Sequence, residues 1–153
     1  MERVGIVTFT LSGESFGITS MAVREIAKST EMTPVEGAPA EIEGAIVYQG
    51  QTIPVLDLHP HFGLGAHGEE IGGNFIIAEC EKCLVALEVD AVTSVVEIPR
   101  TWVVPGDGGE ATEPRQGIVR TPEGLCVISD VNRLLDGVDP EVLLASAQSV
   151  AHS

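Results

Sequence analysis

The chain has 153 residues, 44% of them apolar and only 4% aromatic, and a formal net charge of −15. That apolar content excludes a disordered chain, and no apolar run approaches the roughly 20 residues that cross a bilayer. So strong a negative charge repels phosphate backbones and anionic headgroups, which sets nucleic acid and membrane surfaces aside as partners. The length fits one domain, or one domain made of two small halves. With 17 glycines and 9 prolines, turns are frequent, and abundant valine and isoleucine favour strands over helices. Three cysteines give no disulfide framework. Met1-Glu2-Arg3-Val4 opens straight into a strand-like pattern with no signal peptide, so the expected location is the reducing cytoplasm.

Val7, Phe9 and Leu11 alternate with Ile6, Thr8 and Thr10, which predicts a strand with one buried face. Ser12-Gly13-Glu14 is a turn, and Ser15 to Thr19 returns as a second strand. Ser20 to Ile26 reads as a helical turn capped by Ser20. Thr33 to Pro39 is a proline-bounded loop. Glu43–Gln49 and Thr52–Leu58 are apolar runs around Gly50-Gln51, a hairpin pattern. A short helix is expected over His59 to Leu64, and a glycine-rich loop over Gly65 to Gly73. Asn74–Cys80 and Cys83–Val89 read as a hairpin around Glu81-Lys82, followed by a strand from Val92 to Ile98. Gly106 to Pro114 is a polar loop. Gln116–Arg120 and Leu125–Ile128 flank a turn at 121–124. Asp130–Leu135 and Pro140–Gln148 read as helices, the second with Asp139 at its N-cap.

Three echoes recur in order, displaced by 72 or 73 positions. Val23-Arg24-Glu25-Ile26 returns as Val95-Val96-Glu97-Ile98, Gly44-Ala45-Ile46-Val47 as Gly117-Ile118-Val119, and Val55-Leu56-Asp57-Leu58 as Ile128-Ser129-Asp130-Val131. A common offset predicts two similar β subdomains, roughly 15–65 and 85–137, within one domain spanning 1–153. Halves of about 70 residues bury little core alone. They gain stability by packing through an apolar seam, which is also a natural groove for a partner.

Catalytic chemistry is thin. The serines lack a GxSxG frame, and no glycine cluster has a dinucleotide or phosphate-loop context. Asp57 and Asp90 end apolar runs, where an Asp more often caps a turn than catalyses. Cys80-Glu81-Lys82-Cys83 has the CxxC spacing of a zinc or redox pair. It lacks a second close pair and a following helix, so two cysteines flanking a turn is the favoured reading. A small zinc or thiol protein using Cys80 and Cys83 stays as the alternative from another class. Glu25 and Glu97, at matched positions of the repeat, fit either solvent-facing positions or specificity contacts.

The ordered set Phe16-Gly17-Ile18, Val23-Arg24-Glu25-Ile26, Thr33-Pro34-Val35, Ile42-Glu43-Gly44, Gly50 with Pro54-Val55-Leu56-Asp57-Leu58, Val85–Val92 and Gln116-Gly117-Ile118 resembles the CheW-like domain over essentially the whole chain. The resemblance implies two intertwined five-stranded β-barrels sharing an apolar core, with short helices and a C-terminal helix. It implies a non-enzymatic adaptor with no cofactor, coupling the cytoplasmic tips of chemoreceptors to a CheA-type histidine kinase. The receptor tip would dock between the barrels, and the kinase's regulatory domain would pair barrel to barrel through exposed apolar strands. The partner-contact positions carried over are Val23, Glu25, Gly44, Gln49, Ala86, Val92 and Gly117. The sequence departs from the family at Val47 and Gln49, where an "N-x-R-G" element is usual, and at Ala86, where the family has Gly. Gln cannot reproduce the fixed charge and forked donors of Arg. A divergent adaptor of a non-flagellar sensory system is the variant reading within the family.

Overall fold

The structure is a computed structural model, and it describes residues 2–35, 42–59, 62, 64, 73–80, 83–105, 116–121, 124–129 and 131. Its strands are β1 Arg3–Leu11, β2 Glu14–Thr19, β3 Val23–Lys28, β4 Ile42–Tyr48, β5 Gln51–Asp57, β6 Asn74–Glu79, β7 Leu84–Val89, β8 Ala91–Pro99, β9 Val104–Pro105, β10 Gln116–Thr121 and β11 Gly124–Ser129. They form two sheets, ordered β8-β1-β2-β11-β10-β9 and β3-β6-β7-β5-β4. β9 is only two residues long, so each sheet has five full strands.

The two sheets match strand for strand, β8, β1, β2, β11 and β10 standing where β3, β6, β7, β5 and β4 stand. Each has one parallel pair, β2–β11 and β5–β7, among antiparallel ones. The halves are interleaved: the β1–β2 hairpin is completed by β8, β10 and β11, and the β6–β7 hairpin by β3, β4 and β5. Each sheet is also drawn round on itself. After edge strand β3 the chain returns to bridge Thr33 to Ala45 on the opposite edge. After edge strand β8 it returns as β9 to pair with β10.

Alternation along the strands divides the apolar residues among three clusters. Ile6, Ile98, Val103, Val119, Cys126 and Ile128 fill the first sheet. Ile53, Val55, Phe75, Ile77 and Ala86 fill the second. Val7, Phe9, Leu11, Ile18, Leu56, Ile76, Val85, Leu87 and Val89 belong to the seam between them. This is the shared apolar core of the two-barrel expectation. The seam explains one departure from the sequence reading. Alternation in β1 predicts one buried face, yet Ile6, Val7, Thr8 and Phe9 are all buried, because the strand has a filled barrel on one side and the seam on the other.

Two local expectations are corrected. Ser20–Ala22 is a 3₁₀ turn whose cap residue is Thr19, with no side-chain cap bond. Val23 to Ile26 is extended, because its backbone pairs with β6. The β4–β5 turn lies at Gln49-Gly50, one residue earlier than expected, with Tyr48 facing Gln51. Both turn residues have positive φ, 49° and 78°, the signature of a type I′ hairpin turn. Phe62 and Leu64 both donate backbone N–H groups to His59 O and pack on the seam. Val131 is helical and buried. The remainder of the expected helices at 59–64 and 130–135, the whole of 140–148, and the loops 65–72 and 106–114 lie outside the described residues.

Candidate partner-binding surface

Strand register gathers part of the expected contact set onto one line. Across the second sheet, Glu25 faces Ile77, Ile77 faces Ala86, Ala86 faces Val55, and Val55 faces Gly44. Three of the seven expected contact residues, Glu25, Ala86 and Gly44, therefore share a row. The first sheet carries the matching row, Ser94, Thr8, Gly17, Ile128 and Gly117. Gly117 thus stands where Gly44 stands, and Gly17 where Ala86 stands.

Both row-end glycines exist for packing. A Cβ on Gly44 would lie 2.7 Å from Thr33 O, the segment that closes the second sheet. A Cβ on Gly117 would lie 2.6 Å from Val103 Cγ1 and 3.1 Å from Val104 O, the segment that closes the first. Ala86 is 0% exposed inside the second sheet. Gly44, Ala86 and Gly117 are thus buried, so their expected part in partner contact is through the backbone path they allow rather than through a side chain.

The other four expected contact positions are exposed or lie at the seam's rim. Glu25 and Gln49 are exposed, and Val23 and Val92 are half-buried against the seam. Val23 faces Ala78, which faces Val85. Val92 donates its N–H to Asn74 Oδ1, and Asn74 faces Val89. The two valines therefore border the seam at levels four residues apart along β7, about 13 Å at the usual strand rise. Arg24 pairs with Glu79 at 3.0 Å. Glu79, by hydrogen bond and charge, raises the Arg24 pKa, and Tyr48 adds to it. Start of β3, end of β6 and the Gln49 turn therefore meet at one end of the second sheet.

Among the described residues, exposed apolar side chains lie elsewhere. Val104 and Ile118 are register partners on β9 and β10 and both are exposed, with Trp102 (59% exposed) preceding them and Leu125 on β11. On the second sheet Val47 is exposed beside the Gln49 turn.

Sequence reasoning missed a polar network at the other end of the second sheet. Asp57 Oδ1 accepts from His59 N at 3.0 Å and from His59 Nδ1 at 2.6 Å. Asp90 Oδ1 lies 3.3 Å from His59 Nε2, and Asp90 Oδ2 accepts from Ser12 N at 2.6 Å. Both aspartates thus serve turns, as their strand-end positions suggest. Glu43 sits at the bulge between Ile42 and Gly44 and hydrogen-bonds Glu88. Burial first, then the Glu88 bond and charge, then Asp57, push the Glu43 carboxyl up to about 9. At neutral pH the Glu43 carboxyl therefore keeps its proton. The available signal was phase: Glu88 lies two residues after Ala86, on the face that fills the barrel.

The family model for the CheW-like domain matches residues 5–139. The chain belongs to the CheW-like family. Its sequence is 28% identical over 152 residues to the chemotaxis protein CheW of Treponema pallidum, covering 93% of this chain and 88% of that one. It is 26% identical to the chemotaxis protein CheW of Klebsiella aerogenes, covering 99% and 92%. The scaffolding protein TtCheW of Thermoanaerobacter tengcongensis superposes with a TM-score of 0.72 at 31% identity, covering 83% of this chain and 88% of that one. The interleaved sheets and shared seam of this CheW-like domain are thus the family's architecture. Among the described residues, no helix is long and apolar enough to cross a membrane, and no group of three or more His, Cys, Asp or Glu is placed to hold a metal ion.

Proposed function

We propose that this CheW-like domain is a non-enzymatic adaptor that couples the cytoplasmic tips of chemoreceptors to the regulatory domain of a CheA-type histidine kinase. The observation that carries the reading is the family membership of a chain whose two matched sheets share an apolar seam with half-buried residues at its rim. The receptor tip docks along that rim, where Val23 and Val92 are half-buried, with Glu25 and Gln49 flanking it. Gly44, Ala86 and Gly117 set the backbone path behind it. The exposed Trp102, Val104, Ile118 and Leu125 support an apolar face for the kinase domain. No bond is made or broken: coupling comes from differential contacts to two states of each partner.

The test uses Glu25, which is exposed and contributes nothing to the core. Glu25→Lys reverses a charge on the rim. It changes affinity for a cognate receptor tip by tenfold or more, roughly 1.4 kcal/mol, and leaves affinity for the kinase domain unaltered. Equal affinity of wild type and variant for both partners would remove Glu25 from the site.

A further inference from the structure

The adaptor reading leaves one motif unused. Cys80 directly follows β6 and Cys83 directly precedes β7, with Glu81 and Lys82 between them in sequence. Cys80 N–H donates to Cys83 O at 2.9 Å, so the pair continues the antiparallel ladder beyond Glu79 and Leu84. Residues facing each other across an antiparallel pair have Cα atoms about 4.5–5.5 Å apart, inside the window of about 4.4–6.8 Å that a disulfide spans. The side chains point at each other. The two Sγ atoms are 2.8 Å apart, and Cys83 N–H also donates to Cys80 Sγ at 3.2 Å. Both residues are free thiols and half-buried at the rim of the seam. Cys126 is buried in a different cluster, inside the first sheet.

We propose that Cys80 and Cys83 are a reversible dithiol–disulfide couple, oxidised by a low-molecular-weight disulfide to an intrachain bond across the β6–β7 turn. The Cys80 sulfur, as thiolate, attacks the small disulfide; one of its thiols leaves, and a mixed disulfide forms on Cys80. Cys83 then gives up its proton and attacks Cys80 Sγ, and the second small thiol leaves. Two protein thiols lose two protons and two electrons, and the small disulfide is reduced to two thiols. Burial first, then the hydrogen bond to Cys80 and its charge, push the Cys83 thiol up to about 12. Cys83 therefore holds its proton at neutral pH and serves as the resolving rather than the attacking sulfur, since only thiolate is nucleophilic. The couple lies at the end of the second sheet where Glu79 holds Arg24, so oxidation pins the hairpin that carries the start of β3.

The full chain is equilibrated in buffers of reduced and oxidised glutathione, acid-quenched, alkylated, and read by intact mass and peptide mapping. The expected result is a single transition to a chain lighter by two hydrogen atoms. The bond maps to Cys80 and Cys83, is independent of chain concentration, and is reversed by dithiothreitol. Cys83→Ser stops at the glutathione adduct on Cys80, and Cys80→Ser forms no intrachain bond. Two thiols still alkylated in oxidised glutathione alone would overturn the proposal. So would adducts or interchain dimers in place of the intrachain bond, or one equivalent of zinc on the purified chain that Cys83→Ser removes.

Discussion

The proton retained by the Glu43 carboxyl makes stability fall as pH rises, the reverse of an ordinary salt-bridged carboxylate. In the folded chain the Glu43 carboxyl is pushed from 4.5 up to about 9, so between those values the folded state holds a proton that the unfolded state has released. Stability from this group is complete below the unfolded value and is lost as pH climbs towards the folded one. One proton sets an upper slope of about 1.4 kcal/mol per pH unit. Glu43 is only half-buried, and solvent screening flattens that slope. Between pH 5 and pH 8 the loss should therefore fall between about 1 and 4 kcal/mol. Glu43→Gln retains an N–H donor for Glu88 and removes the titrating group. Urea unfolding of wild type and variant at pH 5, 6, 7 and 8 should give a wild-type free energy that declines across the series. The variant's should decline less, so that the gap moves in its favour with every step. Parallel curves would refute the retained proton on Glu43, because every other titrating group is common to both chains.

Other consequences concern the rows, the seam and the turn. Leu87 is fully buried in the seam, and Leu87→Ala should cost about 2–5 kcal/mol in chemical denaturation; a change below about 0.5 kcal/mol would contradict its placement. Gly117→Ala forces a Cβ against Val103 and Val104 and should destabilise by about 1–3 kcal/mol, lowering the urea midpoint without changing the slope of unfolding. Gln49 occupies a left-handed conformation that Asn tolerates better, so Gln49→Asn should raise stability by up to ~1 kcal/mol, read as an increased thermal midpoint. Gln49→Arg restores the charge usual in the family. It should weaken or leave unchanged the binding to this protein's own receptor or kinase, read by titration at two salt concentrations, because those partners face a neutral side chain; a tenfold gain, roughly 1.4 kcal/mol, would mark Gln49 as a simple loss of affinity.

The strands were legible because turns and apolar runs punctuate this chain clearly: Ser12-Gly13, Gln49-Gly50 and the Cys80–Cys83 segment all fall between paired strands. Side-chain phase was harder. In β1 and β7 both faces are buried, so alternation between polar and apolar residues no longer reports which side meets water. The turn at Gln49 was misplaced by one residue because Gly50-Gln51 also contains a glycine, and only backbone register separates the two choices. Val23 looked helical beside Ser20, but its partner strand β6 lies some fifty residues away, and local sequence carries no trace of that pairing. The contact set divided for a similar reason. Glu25 and Gln49 are exposed, whereas Ala86 is buried by neighbours from β5 and β6, a burial fixed only when the sheet forms. The Glu43–Glu88 pair needs β4 and β7 brought together, with Asp57 on β5 between them.

Mixing the purified chain with a cognate receptor cytoplasmic fragment and the regulatory domain of its CheA-type kinase, then measuring mass during size-exclusion chromatography, tests the adaptor account most directly. The account predicts a three-component particle containing receptor and kinase domains that do not co-elute stably without the chain. A chain that runs alone in that mixture, or that binds one partner only by displacing the other, would contradict it.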